Sequence, residues 1–381
     1  MQMDYVCKKS LTKIKRVVQN PKDVKFLVPN KSVDKPGILM VIHESQELGA
    51  SILALHISQE LIKSGISVYI VSRQFGKMNE KYNKIAPLQI ALSTKAYRKI
   101  CKQQYEKGVR KALLITASTG DFAKITKECG YEVVSMIHEL DQAIRMLHLE
   151  NATKELLEYS DKVLFSTTVA KNQILKLCGA VDSNKIFVKP QGIYFEKPSN
   201  QDVEKQKHIL IESYPVLREK KIIAGIGNTT ERKGFDIFLQ TAVLMPEYEF
   251  IWAGKKENYF NEAIGKYGMP SNFTYLGSMD SKQLSGVYAL ADVYLMCSRF
   301  DTLPSTIFEA LLFNTPVVGA KTSGGIIDII KDVNGYLTEE AACNEFKEAI
   351  GVVLEREYKV PNYSNSFEEY VKYVRILFER K

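Results

Sequence analysis

Short runs of consecutive apolar residues recur along this chain, each followed by a segment with helical spacing. That succession restricts the fold more than any other feature. "GILMVIH" (Gly37 to His43) precedes "ASILALHISQELIKSG" (Ala50 to Gly65), a helical pattern ending on a glycine suited to a C-cap. "SVYIVS", "KALLITAS", "YEVVSMIH", "KVLFSTT" and "KIFVKPQG" continue the series, with helix-like segments at Thr153 to Tyr159 and Val169 to Cys178. Apolar runs without alternation indicate strands covered on both faces, the doubly wound parallel arrangement. A polar stretch, "FEKPSNQDVEKQKHILIESYP" (Phe195 to Pro215), breaks the pattern. It restarts with "KIIAGIGN", "EFIWAG", "FTYLG", "DVYLMCS", "PVVGA" and "GYLT".

Each half therefore reads as its own Rossmann-like α/β domain, with ligands expected beyond the carboxyl ends of the strands and a cleft between the halves. The expected division is 1–198 for the first domain, including a basic leader at 1–35, and 199–360 for the second. The segment 361–381, with the helical pattern "SFEEYVKYVRILFER", is expected to pack back on the first domain. A length of 381 residues suits two cores, and 45% apolar with 25% charged residues is ordinary globular usage.

The net charge of +8 fits a phosphate-bearing ligand, a nucleic acid or an anionic surface without choosing among them. The six cysteines, Cys7, Cys101, Cys129, Cys178, Cys297 and Cys343, have no metal-finger or C-x-x-C spacing, so free thiols and a cytoplasmic setting are expected. No apolar run reaches the roughly 18 residues of a membrane span, and "MQMDYVCKKS" lacks a signal peptide's apolar core. In the leader, Cys7, Leu11, Ile14 and Val18 fall at helical spacing among Lys8, Lys9, Lys13, Lys15 and Arg16. Two readings stand side by side: a basic amphipathic helix on an anionic membrane, or a helix packed on the first domain with a solvated basic face.

Candidate chemistry sits at the strand ends. "HESQELGAS" leads through Gly49 into a helix whose first N–H groups suit a phosphate or sugar oxygen, although from one glycine alone a plain strand-to-helix connection is the preferred reading. "SMIHELDQAI" puts His138 and Glu139 just past a strand. "GIGNTTERKGFDIF" places Asn228, Arg232 and Lys233 before a helix, where two cations and backbone donors suit a diphosphate, a solvated basic turn being the alternative; neither a Walker loop nor G-x-G-x-x-G is present. "SRFDTLPSTIFEALLF" sets Asp301 in a loop and Glu309 in the helix after Leu303, Pro304, Ser305 and Thr306. Carboxylates accept from hydroxyl pairs and a helix N-terminus favours an anion, which together match the ribose, diphosphate and sugar of a nucleotide sugar.

These residues resemble the retaining glycosyltransferases of family four, which have the GT-B fold. That family's Glu-x7-Glu pair, "GtPVV" strand and "GG" turn are matched by Asp301, Glu309, "NTPVVGA" and Gly324-Gly325. "HE...GAS", "IHEL", "PQGIY", "RKG" and "FIWAG" are similar to a polysaccharide-building subgroup, and the motifs run in order from Ile42 to Leu337. The resemblance implies that Glu309 holds the ribose hydroxyls, that Lys233 and Arg232 hold the diphosphate, and that backbone at Leu303, Pro304, Ser305 and Thr306 assists. It further implies that Asp301 and His138 contact the donor sugar and that Gly49 and Asn228 lie at the nucleotide. No cofactor and no metal are implied. The pattern departs in two places: Asp301 stands for the first Glu, and Asn228 for an Arg that many relatives carry.

The resulting expectation is a metal-independent transfer of a sugar from a nucleotide-sugar donor to a glycan or lipid-linked acceptor, in surface polysaccharide synthesis at the inner face of the plasma membrane. The alternative is a catalytically silent relative that binds a glycan or stabilises a partner transferase. A nicotinamide oxidoreductase lacks its glycine fingerprint, and no basic-aromatic cluster points to nucleic acid.

Overall fold

The computed structural model describes residues 36–179, 181–356, 358 and 366–379. The basic leader, with Cys7 and the helical pattern after it, lies outside the described residues. Contacts between Cα atoms divide the chain into two compact units at Arg110/Lys111. This is not the 198/199 boundary expected from the pattern of runs, which follows the change from one sheet to the next.

The first unit contains β1 (Gly37–Ile42), α1 (Gly49–Lys63), β2 (Ser67–Ser72), α2 (Asn79–Ile85), β3 (Leu88–Ile90) and α3 (Thr94–Glu106). Its strands are parallel in the order β3-β2-β1. Every residue of β1 after Gly37 is buried, as is every residue of β2 after Ser67, which is why both read as continuous apolar runs.

The second unit begins with β4 (Lys111–Ile115), α4 (Gly120–Glu128), β5 (Glu132–Ile137), α5 (Asp141–Met146), α6 (Glu150–Tyr159), β6 (Lys162–Phe165), α7 (Thr168–Cys178) and β7 (Ile186–Val188). Strands β4 to β7 pair in parallel in chain order. It continues through α8 (Asn200–Ser213), β8 (Ile222–Ile226), α9 (Phe235–Val243), β9 (Glu249–Ala253), α10 (Asn258–Tyr267) and β10 (Phe273–Gly277). Last come α11 (Ser281–Leu290), β11 (Val293–Met296), α12 (Ser305–Leu312), β12 (Val317–Ala320), β13 (Gly335–Thr338), α13 (Cys343–Glu355) and α14 (Phe367–Leu377). Among the described residues β1 to β7 belong to one sheet of seven strands, and β8 to β13 form a parallel sheet of six in the order β10-β9-β8-β11-β12-β13.

The second sheet is covered on both faces. Along β8, Ile222, Ala224 and Ile226 enter a core with Tyr288, Ile307 and Phe308, while Ile223 enters the opposite one with Phe235, Phe238 and Trp252. Burying each such aromatic contributes about 2–3 kcal/mol. Gly225 lies under the Trp252 ring, where an added Cβ would come within 2.5 Å of it.

The polar stretch after Phe195, between the strands of the two sheets, is mostly α8, capped by Ser199, whose hydroxyl accepts from Asp202 N. Only Val203 and Leu210 of this helix are fully buried, two turns apart, so its apolar stripe is too thin to stand out among its charges. The closing helix α14 meets the first strand of its unit, with Lys111 Nζ 5.7 Å from the centre of the Phe378 ring. Phe367 packs edge-on to Tyr194 at 5.5 Å. Among the described residues no helix is long and apolar enough to cross a membrane, and Cys178, Cys297 and Cys343 are free thiols.

Candidate active site

The carboxyl ends of β8 and β11, neighbours in the sheet, bring the central residues together. After β8 the chain turns through Gly227 and reaches Arg232 and Lys233 before α9. Gly234 closes that turn with φ +69°, and an added Cβ would sit 2.0 Å from the Cys297 carbonyl oxygen. Only glycine suits both the left-handed backbone and the close approach. After β11, Arg299 N donates to Arg232 O at 2.8 Å, which fastens the two loops to each other. The Arg299 guanidinium grips Asp236 with two bonds of 2.8 and 2.7 Å and donates a third, of 2.6 Å, to Glu231 O.

On this frame Asp301 receives both cations. Its Oδ2 lies 2.6 Å from Lys233 Nζ and 3.0 Å from Arg232 Nη1. Burial would push the Asp301 carboxyl up, but the Lys233 and Arg232 charges outweigh it and hold it below the usual carboxylate value. Asp301 is thus ionised at neutral pH. Its backbone is fixed as well: Asp301 N donates to Ser323 O at 2.7 Å, and Gly325 N to Asp301 O at 3.3 Å. The "GG" turn is needed for this approach, since an added Cβ on Gly324, at φ +113°, would lie 2.4 Å from Asp301 O and 2.8 Å from Leu140 Cδ1. The end of β5 therefore reaches the same place.

Glu309 sits in α12 and is 8% exposed. The Tyr288 hydroxyl donates to its Oε2 at 2.8 Å. Burial raises the Glu309 carboxyl above its ordinary value, against the hydroxyls of Tyr288 and Ser305 that favour its charge. The two carboxylates of the motif thus differ in kind: Asp301 is neutralised by cations, whereas the donors to Glu309 among the described residues are the hydroxyls of Tyr288 and Ser305. The "PQGIY" segment secures the start of α12 through Gln191 Nε2, 3.5 Å from Leu303 O, and through Tyr194, bonded to Ser305. Thr306 Oγ1 accepts from Tyr294 OH at 2.7 Å.

His138 follows β5. Among the described residues its Nε2 is buried with no hydrogen-bond partner, and burial pushes the imidazole down to about 4, so the ring is neutral at physiological pH. Glu139 fixes the turn, its Oε2 accepting from His138 N at 2.9 Å and both oxygens from Ala117 N at 3.1 Å. Asn228 is exposed, and its Nδ2 donates to Glu257 at 3.4 Å. Gly49 begins α1 in the first unit, with open space where a Cβ would stand. Among the described residues no group of three or more His, Cys, Asp or Glu is placed to hold a metal ion.

Asp301, Lys233 and Arg232 are therefore in direct contact, with Leu303 to Thr306 and Glu309 following on the next helix. Arg299, Asp236, Tyr288, Tyr194, Gln191 and Glu139 support them and were not singled out for such roles in the sequence. "PQGIY" and "IHEL" did signal three of these six.

Residues 206–373 match the family described as glycosyl transferases group 1. The alpha-galactosylglucosyldiacylglycerol synthase of Streptococcus pneumoniae is 28% identical over 162 residues, 39% of this chain and 42% of that protein. The D-inositol 3-phosphate glycosyltransferase of Mycolicibacterium smegmatis is 24% identical over 213 residues, 54% of this chain and 48% of that protein. The chain spans about half the length of these curated relatives. Among solved structures, HepE of Anabaena in complex with UDP superimposes with a TM-score of 0.75 at 16% identity, covering 90% of this chain and 100% of that one. The chain thus has the GT-B fold, and its residues 206–373 are similar to the glycosyl transferases group 1.

Proposed function

We propose that the protein transfers a sugar from a nucleotide-sugar donor to a glycan or lipid-linked acceptor, with retention at the anomeric carbon and without a metal. The observation that carries this reading is the meeting of Lys233, Arg232 and the ionised Asp301 at the carboxyl ends of β8 and β11, beside the helix that bears Glu309.

In this reading the donor diphosphate engages Lys233 and Arg232, which share their charge between it and Asp301. As the glycosidic bond breaks, both electrons go to the phosphate oxygen, and the two cations and the N-terminus of α12 stabilise that growing charge. Asp301 accepts from hydroxyls of the donor sugar, and Glu309 accepts from the ribose diol through lone pairs that Tyr288 and Ser305 leave open. His138, neutral, offers its unpartnered Nε2 to the sugar. The acceptor hydroxyl attacks from the face of the leaving group, and its proton passes to the departing phosphate. A uridine diphosphate sugar is the first donor to test, because HepE is solved with UDP. The setting in this reading is the cytoplasm, in surface polysaccharide synthesis at the inner face of the plasma membrane.

The test is nucleoside diphosphate release from a panel of UDP-, GDP- and dTDP-sugars with EDTA present, with Glu309→Ala and Asp301→Ala as controls. Release from one donor, indifferent to EDTA and lost in both variants, is the expected result. Donor binding without release, even when candidate acceptors are added, would instead support a silent, glycan-binding relative. Failure to bind any donor would overturn the reading of both carboxylates.

A further inference from the structure

Tyr288 comes from α11, outside the motif that carries Glu309, yet it provides the hydroxyl that meets Glu309 Oε2 at 2.8 Å. Its ring cannot swing away. It stacks on Phe313 at 5.6 Å and 17°, and meets Tyr294 edge-on at 6.2 Å and Phe195 at 6.4 Å. The backbone beneath it is tied too, with Thr315 Oγ1 donating to Tyr288 O at 2.9 Å. A buried phenol has one proton to give, and here it is spent on the carboxylate. The second donor to Glu309, Ser305, lies one turn back on the same helix, so Tyr288 provides the anchor from another element.

We infer that Tyr288 is a positioning residue for nucleoside recognition: its hydroxyl fixes one oxygen of Glu309, so that the remaining lone pairs point at the two ribose hydroxyls. The inference rests on the reading of Glu309 as the ribose acceptor. A carboxylate free to rotate could meet one hydroxyl at a time, and bidentate grip of a diol requires a fixed plane. The phenol also replaces solvent for a buried charge, whose unpaired burial is costly. Tyr288 itself touches no part of the nucleotide in this scheme.

The experiment is a cycle between protein and ligand. Calorimetry measures binding of UDP and GDP, each beside its 2′,3′-dideoxy counterpart, to the wild-type chain, to Tyr288→Phe, to Glu309→Gln and to the double variant. Wild type is expected to prefer the diol-bearing ligand by ten-fold or more. Tyr288→Phe is expected to weaken it about five- to ten-fold and to change dideoxy binding less than two-fold. The double variant should lose no more of the preference than Glu309→Gln alone.

Equal weakening of both ligands by Tyr288→Phe would show a merely structural role and overturn the inference while leaving Glu309's role intact. So would an unchanged diol preference. Wild type that binds both ligands of a pair equally, or binds neither UDP nor GDP, would overturn the reading of Glu309 itself. If Tyr288→Phe fails to fold, Tyr288→Trp in the same cycle keeps the test open. It retains an aromatic ring but presents its N–H from a different place, and it too must lose diol preference selectively.

Discussion

Asp301 Oδ2 lies 2.6 Å from Lys233 Nζ and holds Arg232 Nη1 at 3.0 Å, so the carboxylate occupies the two cations that a diphosphate would need. An anionic ligand has to share them with it. Asp301→Asn keeps the shape and removes the charge. It is expected to bind nucleoside diphosphate as tightly as wild type or several-fold tighter, while turnover falls about 100-fold or more, the cost of losing one charged contact at a reacting centre. Calorimetry beside a release assay separates the two effects; weaker diphosphate binding in this variant would show that Asp301 orients the cations and does not compete for them.

Glu309 and Asp301 should leave opposite marks on stability. Burial raises the Glu309 carboxyl in the folded chain, so folding holds its proton more tightly than the unfolded chain does. Stability from this group is full below the unfolded value and is lost as pH rises through the folded one. Glu309→Gln should therefore unfold at a higher temperature than wild type at neutral pH, with the gain vanishing below about pH 4, under the ordinary carboxyl value. Asp301 is lowered by Lys233 and Arg232 against its burial, so its contribution is present above the unfolded value and fades as pH falls. Melting curves from about pH 2 to 8 on Glu309→Gln and Asp301→Asn test both signs.

Arg299 carries a structural prediction. Asp236, its partner, is 3% exposed on the side chain, and Arg299 is 35% exposed. Removing one member of a buried pair costs roughly 3–5 kcal/mol, and the partial exposure of Arg299 discounts this to about 2 kcal/mol. Arg299→Ala should lower stability by that amount in urea and also weaken diphosphate binding, because the guanidinium that it removes fastens the carbonyl of Glu231, beside Arg232. Arg299→Lys cannot reproduce the fork and should rescue only part of the loss.

The strands were legible because burial on both faces leaves apolar runs without alternation. All six runs proposed after Lys220 are strands, whereas β3, three residues long, gives no such run. Helix α8 was hidden for the opposite reason: it buries so little that its composition resembles a linker. Within the site, residue types at motif spacing pointed to Asp301, Lys233 and Arg232. Their mutual contact was not legible, since it depends on two loops 68 residues apart meeting at neighbouring strand ends. The pairing of Tyr288 with Glu309 and of Arg299 with Asp236 is of the same kind. A buried tyrosine on an amphipathic helix reads as core until its hydroxyl is seen to face a carboxylate.

His138 ties the neutral state of a side chain to both stability and turnover. Its Nε2 is buried without a partner among the described residues, and burial pushes its imidazole down to about 4 because charging it there would forfeit hydration. Below the unfolded value of about 6.5 the unfolded chain takes up a proton that the folded chain refuses, so stability falls with pH by up to roughly 3 kcal/mol on reaching pH 4. His138→Gln removes this titration and should flatten the melting temperature between pH 6.5 and 4.5 relative to wild type. The same variant, with a hydrogen-bonding group of different reach, should lower kcat about ten-fold or more with little change in diphosphate binding. A kcat equal to wild type, with the flattened melting profile, would make His138 a buried packing residue that merely happens to follow β5.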